Sequence, residues 1–234
     1  MILVPLRDDN PTARFAILTA LLVAANLAVF AYQATLDERA GIAFVLGFGM
    51  IPAVVTGAAE LPPWIAAPEP WATPFTSMFL HGGFMHVAGN MLYLWTFGNN
   101  VEDAMGRVRF ALFYVLCGLA AAYAQASVDF ASELPMIGAS GAVSGVLAAY
   151  LLLHPYAHVY SFAFFRFAWL PAWFVLGFWI VVQLANGLIA DAGEGGVAWW
   201  AHIGGFAAGL VLLPVFKRGG VGLFRGRNRS GPWG

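Results

Sequence analysis

Charge is what this 234-residue chain has least of. Only 10% of its residues are Asp, Glu, Lys or Arg, where a water-exposed domain carries about 25%. The deficit excludes an ordinary soluble domain, because most of the surface must face something other than water. Cysteine is nearly absent as well. The single Cys117 excludes an internal disulfide and, inside an apolar run, reads as a small packed side chain. No internal repeat, low-complexity tract or soluble domain interrupts the chain, so the two symmetric halves expected of a solute transporter are missing. The five histidines contain no HExxH arrangement, so an intramembrane zinc protease is excluded too. The net charge of -1 says nothing about partners, and no nucleic-acid partner is expected of a chain this apolar.

What is present is apolar: 61% of residues are hydrophobic and the mean hydropathy is +0.76. Several runs approach the roughly 20 residues that a helix needs to cross a bilayer. The expected architecture is an all-α polytopic membrane protein with six transmembrane helices. Residues 1–14 form a polar N-terminal segment, residues 15–216 the membrane domain and residues 217–234 a basic tail. The first helix is expected over 15–34 and the second within 75–103. The third spans 108–126, the fourth ends at His154-Pro155, the fifth covers 171–190 and the sixth 198–216. Residues 35–73 are rich in Pro and Gly but still apolar, and with Trp64 and Trp71 they read as a loop lying in the membrane interface.

The eleven Lys and Arg set the orientation. Ten of them (Arg7, Arg14, Arg107, Arg109, Arg166, Lys217, Arg218, Arg225, Arg227 and Arg229) fall on one side of the six-span pattern, and only Arg39 falls on the other. By the positive-inside bias, both termini are cytoplasmic.

Polar groups at membrane depth are functional candidates. Here they are Asn26, His86, Asn90, Ser140, Ser144, Gln183 and His202. The second, fourth and sixth helices all run inwards from the outer face. His86, Asn90, Ser140 and His202 lie early in them, so the four share one outer level. Their faces agree as well. His202, Gly205 and Gly209 stand at i, i+3 and i+7, while Gly141 and Gly145 form a second small-xxx-small pair beside Ser140. Packing those two faces together brings His202 toward Ser140.

A serine hydroxyl needs an adjacent base to act as a nucleophile, and His202 is the histidine on the matching face. None of the Asp and Glu residues lies near the start of the fourth or sixth helix, so the pair is expected to work as a dyad. His86, Asn90 and the Ser140 N–H can donate to a developing oxyanion, each such donor being worth about 3 kcal/mol. The fourth helix, from Gly141 to Leu153, is only ~20 Å long, which sinks Ser140 below the outer surface and requires a water-filled cavity. Each feature has a plainer reading. Serine in a Gly/Ala-rich membrane helix is ordinarily a packing residue, and asparagine can simply join helices. His154 and His158, four apart, read as an interface feature. The coincidence of depth, face and chemistry favours catalysis.

These residues resemble the rhomboid intramembrane serine proteases. Gly138-Ala139-Ser140-Gly141 looks like that family's GxSG motif, and Ala201-His202-Ile203-Gly204-Gly205 through Gly209 resembles its sixth-helix pattern. His81, His86 and Asn90 match its second-helix spacing, and Glu102 with Gly106 resembles a structural Glu-xxx-Gly signature. The resemblance implies Ser140 as nucleophile, His202 as general base and His86 and Asn90 in the oxyanion hole, with no metal or other cofactor. It implies single-span membrane proteins as substrates, cut in or near their transmembrane segments, and residence in a bacterial inner membrane. The alternative is a catalytically inactive rhomboid-like protein that binds membrane helices. Where many relatives carry an aromatic residue four after the serine, this chain has Ser144, and its first connection lacks the Trp-Arg pair.

Overall fold

In apolar surroundings a backbone must satisfy its own hydrogen bonds, and the long apolar runs do so as helices. The computed structural model describes residues 3–189 and 196–224. Arg225, Arg227 and Arg229 of the basic tail, with residues 190–195 of the fifth connection, lie outside the described residues. In chain order the main elements are strand β1 (Leu3–Asp8), helix α1 (Ile17–Gln33), α2 (Glu38–Phe48), α3 (Phe84–Met105), α4 (Arg107–Ala126) and α5 (Ser140–Leu153). Strands β2 (His158–Ala163) and β3 (Arg166–Pro171) follow, then α6 (Ala172–Ile189) and α7 (Trp199–Phe216). Three of these, α4, α6 and α7, are long and apolar enough to cross a membrane; α1 and α5 are shorter apolar helices.

Punctuation in the sequence explains the boundaries. Gly106, at φ +82°, turns the chain between α3 and α4 in a left-handed conformation that suits glycine. Asp37 caps α2 by accepting from the Ala40 N–H, and Pro155 stops α5 one residue after His154. Within the first connection, α2 packs edge-on through Phe44 against Tyr32 of α1. Trp64 and Trp71 remain exposed.

α5 is the central helix, with eleven of its fourteen residues buried. α3, α4 and α7 surround it, and α6 packs mainly on α7. The core around it is aromatic and small by turns: Phe97 of α3 meets Tyr150 edge-on at 4.8 Å, while Cys117 of α4 is fully buried and free, as a packed thiol.

The all-α expectation needs one correction. β1, β2 and β3 form an antiparallel three-stranded sheet in that order, with Leu3 opposite Ala163 and His158 opposite Pro171. The polar N-terminal segment and the connection between α5 and α6 are therefore one structure, with the Arg7 guanidinium over the rings of Tyr160 and Trp169. The physical reason is that β2 buries alternate residues, Val159, Ser161 and Ala163, and pairing with β1 and β3 satisfies the amides of a segment too short to form another helix of the bundle. The β2–β3 turn is made by Phe164 and Phe165 at φ 52° and 63°, where Asn-Gly is the usual sequence. His154 is buried at the end of α5, whereas His158 opens the central strand β2, its N–H donating to Asp9 at 2.7 Å.

Buried carboxylates knit this end of the bundle. Glu102 accepts from the Leu18 and Thr19 N–H groups and from the Thr19 hydroxyl, capping α1 from α3. Asp103 accepts from the Ala13 N–H and pairs with Arg218. Asp8, at the end of β1, accepts from the Tyr150 hydroxyl at 2.5 Å and from Asn100 at 2.9 Å. Burial pushes the Asp8 carboxyl up from 3.8 to about 7, although the Tyr150 bond pulls the other way.

A carboxyl raised in the folded state stabilises fully below its unfolded value, and that contribution is lost as pH rises through about 7. The midpoint of thermal unfolding should therefore fall between pH 5 and pH 8 more steeply in the native protein than in Asp8→Asn. Parallel pH profiles of the two proteins would refute this role for Asp8.

Candidate active site

Ser140 is the first residue of α5, so its N–H is one of the donors a helix leaves unpaired at its start. Gly138, two residues earlier, has φ +122°. A Cβ there would lie 2.8 Å from His86 Nε2 and 3.7 Å from Ser140 Oγ. Glycine thus keeps open a small space between the histidine and the hydroxyl.

His202 is in the first turn of α7 and 9% exposed. Its Nε2 is 2.7 Å from Ser140 Oγ, and its Nδ1 is 2.7 Å from Gln183 Oε1 on α6. The ring also lies against Trp179 at 5.8 Å and meets Trp199 edge-on at 6.2 Å. α7 is held at this level partly by Gln125 of α4, which accepts from the Ala201 N–H at 3.2 Å.

α3 delivers the remaining groups. His86 Nδ1 accepts from the Gly82 N–H at 3.3 Å, which leaves the proton on Nε2, the atom facing the space at Gly138. Asn90, one turn along, is buried, and its Nδ2 has no hydrogen-bond partner. An unpaired buried donor is costly, about 1–3 kcal/mol, and is explained if something else receives it. Ser140, His202, His86 and Asn90 all line one cavity of about 760 Å³, with Val143 and Trp179 among its walls. His81 stands behind His86, ring to ring at 5.0 Å.

The glycines act through the backbone. A methyl added at Gly205 would meet the Gly141 carbonyl carbon at 2.8 Å, and one at Gly209 would meet Gly145 Cα at 2.7 Å. These two residues let α7 lie directly on α5. Gly141 and Gly145 serve the same seam with their backbones, but a Cβ on either would point into α4, at Ala121 and Cys117. α5 is thus wedged between two helices, with small residues needed on both sides.

All four polar residues singled out by depth and face come together here. Ser144 does not join them: its hydroxyl donates to the Ser140 carbonyl at 2.6 Å inside α5. What the sequence does not foresee is the pairing of Gln183 with His202. The polarity of Gln183 at membrane depth is visible in the sequence, but spacing along α6 does not say which side chain it faces. Chemically, a hydroxyl against an imidazole nitrogen, with N–H donors around an adjacent cavity, is an arrangement able to attack a carbonyl carbon and hold the resulting oxyanion.

Residues 68–219 match the family described as Rhomboid domain. The chain is 31% identical over 213 residues to RHOMBOID-like protein 1 of Arabidopsis thaliana, covering 90% of this chain and 50% of that protein. It is 28% identical over 180 residues to Rhomboid-type serine protease 2 of Emericella nidulans, covering 76% and 33%. It is 29% identical over 208 residues to Rhomboid protease GlpG of Salmonella choleraesuis, covering 80% and 67%. The chain thus spans half or less of the length of these plant and fungal relatives.

The α5–α7 seam has a direct test in stability. Gly205→Ala should lower the unfolding midpoint in detergent micelles, by an amount worth about 1–3 kcal/mol. Gly177→Ala on α6, where a Cβ meets nothing within 4 Å, should leave it unchanged or raised. Equal midpoints for the two variants would refute close backbone contact at the seam.

Proposed function

The chain belongs to the rhomboid family, and from that membership together with the site geometry we propose that it is an intramembrane serine endopeptidase acting through a Ser140–His202 dyad. The observation that carries the reading is the 2.7 Å hydroxyl–imidazole contact on the wall of a cavity that also holds the partnerless Asn90 amide.

In the proposed reaction His202 Nε2 takes the Ser140 proton as Oγ bonds to the scissile carbonyl carbon. The carbonyl π electrons move onto oxygen, which settles in the space kept open by Gly138. There it accepts from His86 Nε2–H, Asn90 Nδ2–H and the Ser140 N–H, and the positive end of the α5 dipole adds to their effect. Collapse of this intermediate breaks the C–N bond, and the imidazolium returns its proton to the leaving amine. Water from the cavity then attacks the acyl-enzyme with His202 again as base, releasing the acid and regenerating Ser140.

The substrates proposed are single-span membrane proteins cut in or near their transmembrane segment. The apolar helices around the cavity support this, since a substrate must reach Ser140 through a bilayer and not through water. We further propose six spans with both termini cytoplasmic, supported by the ten-to-one Lys/Arg bias. In the fold, β1 and Arg218 lie at the same end of the bundle, away from Ser140. The protein is an integral membrane protein, and we propose a bacterial inner membrane as its location.

The test uses purified protein in detergent or liposomes with a model single-span substrate. Wild type should cleave it and be labelled by a fluorophosphonate. Ser140→Ala and His202→Ala should lose at least about 10⁴-fold in kcat, and Asn90→Ala about 10²-fold. Cleavage surviving either dyad substitution would overturn the assignment. Wild type that neither cleaves nor is labelled would favour a helix-binding role.

A further inference from the structure

A dyad without a carboxylate leaves open what holds the imidazole. In a serine–histidine pair the base must present a bare Nε2 to the hydroxyl, so the proton must sit on Nδ1, and whatever bonds Nδ1 decides this. Ser144 is occupied inside α5, as described above. Trp179 and Trp199 flank the ring and restrict its tilt, but tryptophan has no acceptor to offer Nδ1–H.

We propose that Gln183 is the positioning residue of the site: its amide oxygen accepts Nδ1–H of His202 and so fixes both the tautomer and the rotation of the imidazole. This inference rests on the protease reading above. The distance is 2.7 Å, and both groups are buried. An amide can be turned either way, but here a second bond selects the orientation. Gln183 Nε2 donates to the Trp179 carbonyl one turn back on α6 at 3.3 Å, so the oxygen is the end left facing His202. The reversed amide would donate to Nδ1, push the proton to Nε2 and disable the base. Among the described residues, the side-chain hydrogen-bond partners of the His202 ring are Gln183 at Nδ1 and Ser140 at Nε2, and no carboxylate is paired with it.

A neutral acceptor has a consequence that a carboxylate lacks. It orients the ring without adding a second charge to a buried site, where an unpaired anion is unfavourable in the resting enzyme. It also ties the base to α6, a helix packed chiefly on α7, so the ring orientation depends on α6 keeping its place.

The test combines kinetics with a spectroscopic reading that needs no substrate. In ¹⁵N-histidine-labelled wild type, His202 should show a protonated Nδ1 and a bare Nε2. Gln183→Leu should shift that resonance pair toward a mixture and lower kcat by roughly 10- to 100-fold, the size of one buried hydrogen bond left unmade, with KM little changed. Gln183→Glu, which keeps an acceptor oxygen at the same reach, should restore the Nδ1–H tautomer and most of the activity. Gln183→Asn, one methylene shorter, should not. A His202 protonated on Nε2 in wild type overturns the inference, as does a cleaving enzyme whose kcat is untouched by Gln183→Leu. Failure of the protease reading shows differently, as wild type with the expected tautomer that neither cleaves nor takes a fluorophosphonate.

Discussion

The close approach of α5 and α7 is the constraint on which the site depends. Ser140 and Gly141 open one helix; His202 is one turn before Gly205 on the other. Where Gly205 lies on the Gly141 backbone, the hydroxyl and imidazole come within hydrogen-bond reach; with a side chain at that crossing they would not. In lipid the apolar surface of a helix gains little from burial, so small residues and close backbone packing supply the attraction instead. Gly141 and Gly145 extend the same logic to α4, whose Ala121 and Cys117 fill the space that side chains at those positions would occupy.

The two ends of the bundle use polar groups differently. Away from Ser140, Glu102, Asp103 and Asp8 are satisfied by backbone amides, hydroxyls and an arginine, and their work is to fasten α1, β1 and the chain after α7 to α3 and α5. Around Ser140, Asn90 holds a donor with no partner, the Ser140 N–H begins a helix, and His86 faces an open space. Buried carboxylates satisfied at one end, and donors left open around a cavity at the other, are an arrangement suited to receiving a group at the open end.

Much of this was legible in the residues. Long apolar runs fixed the helical class, and the period of 3.6 placed His202 on the same face as Gly205 and Gly209. The alternation of Lys and Arg pointed to one level for Ser140, His86, Asn90 and His202, and the four line one cavity. Three features were hidden, each for a physical reason. β1 pairs with β2 across more than 150 residues of chain, Leu3 against Ala163, and no local pattern encodes so distant a partner. The β2–β3 turn uses Phe-Phe in left-handed backbone, so the usual glycine signal is missing. Gln183 is visible as a polar residue at depth, but its facing toward His202 is set by the rotation of α6 against α7, and α6 is apolar nearly all round. The same blindness to rotation concealed that the side-chain positions of Gly141 and Gly145 point at α4.

The most direct measurement of the central claim is the crystal structure of the protein after reaction with a fluorophosphonate. Phosphorus should be bonded to Ser140 Oγ, with the phosphoryl oxygen over Gly138 and within hydrogen-bond distance of His86 Nε2, Asn90 Nδ2 and the Ser140 nitrogen. His202 should remain beside the Ser140 oxygen. A phosphoryl oxygen turned away from His86 and Asn90, or phosphorus bonded to another residue, would contradict it.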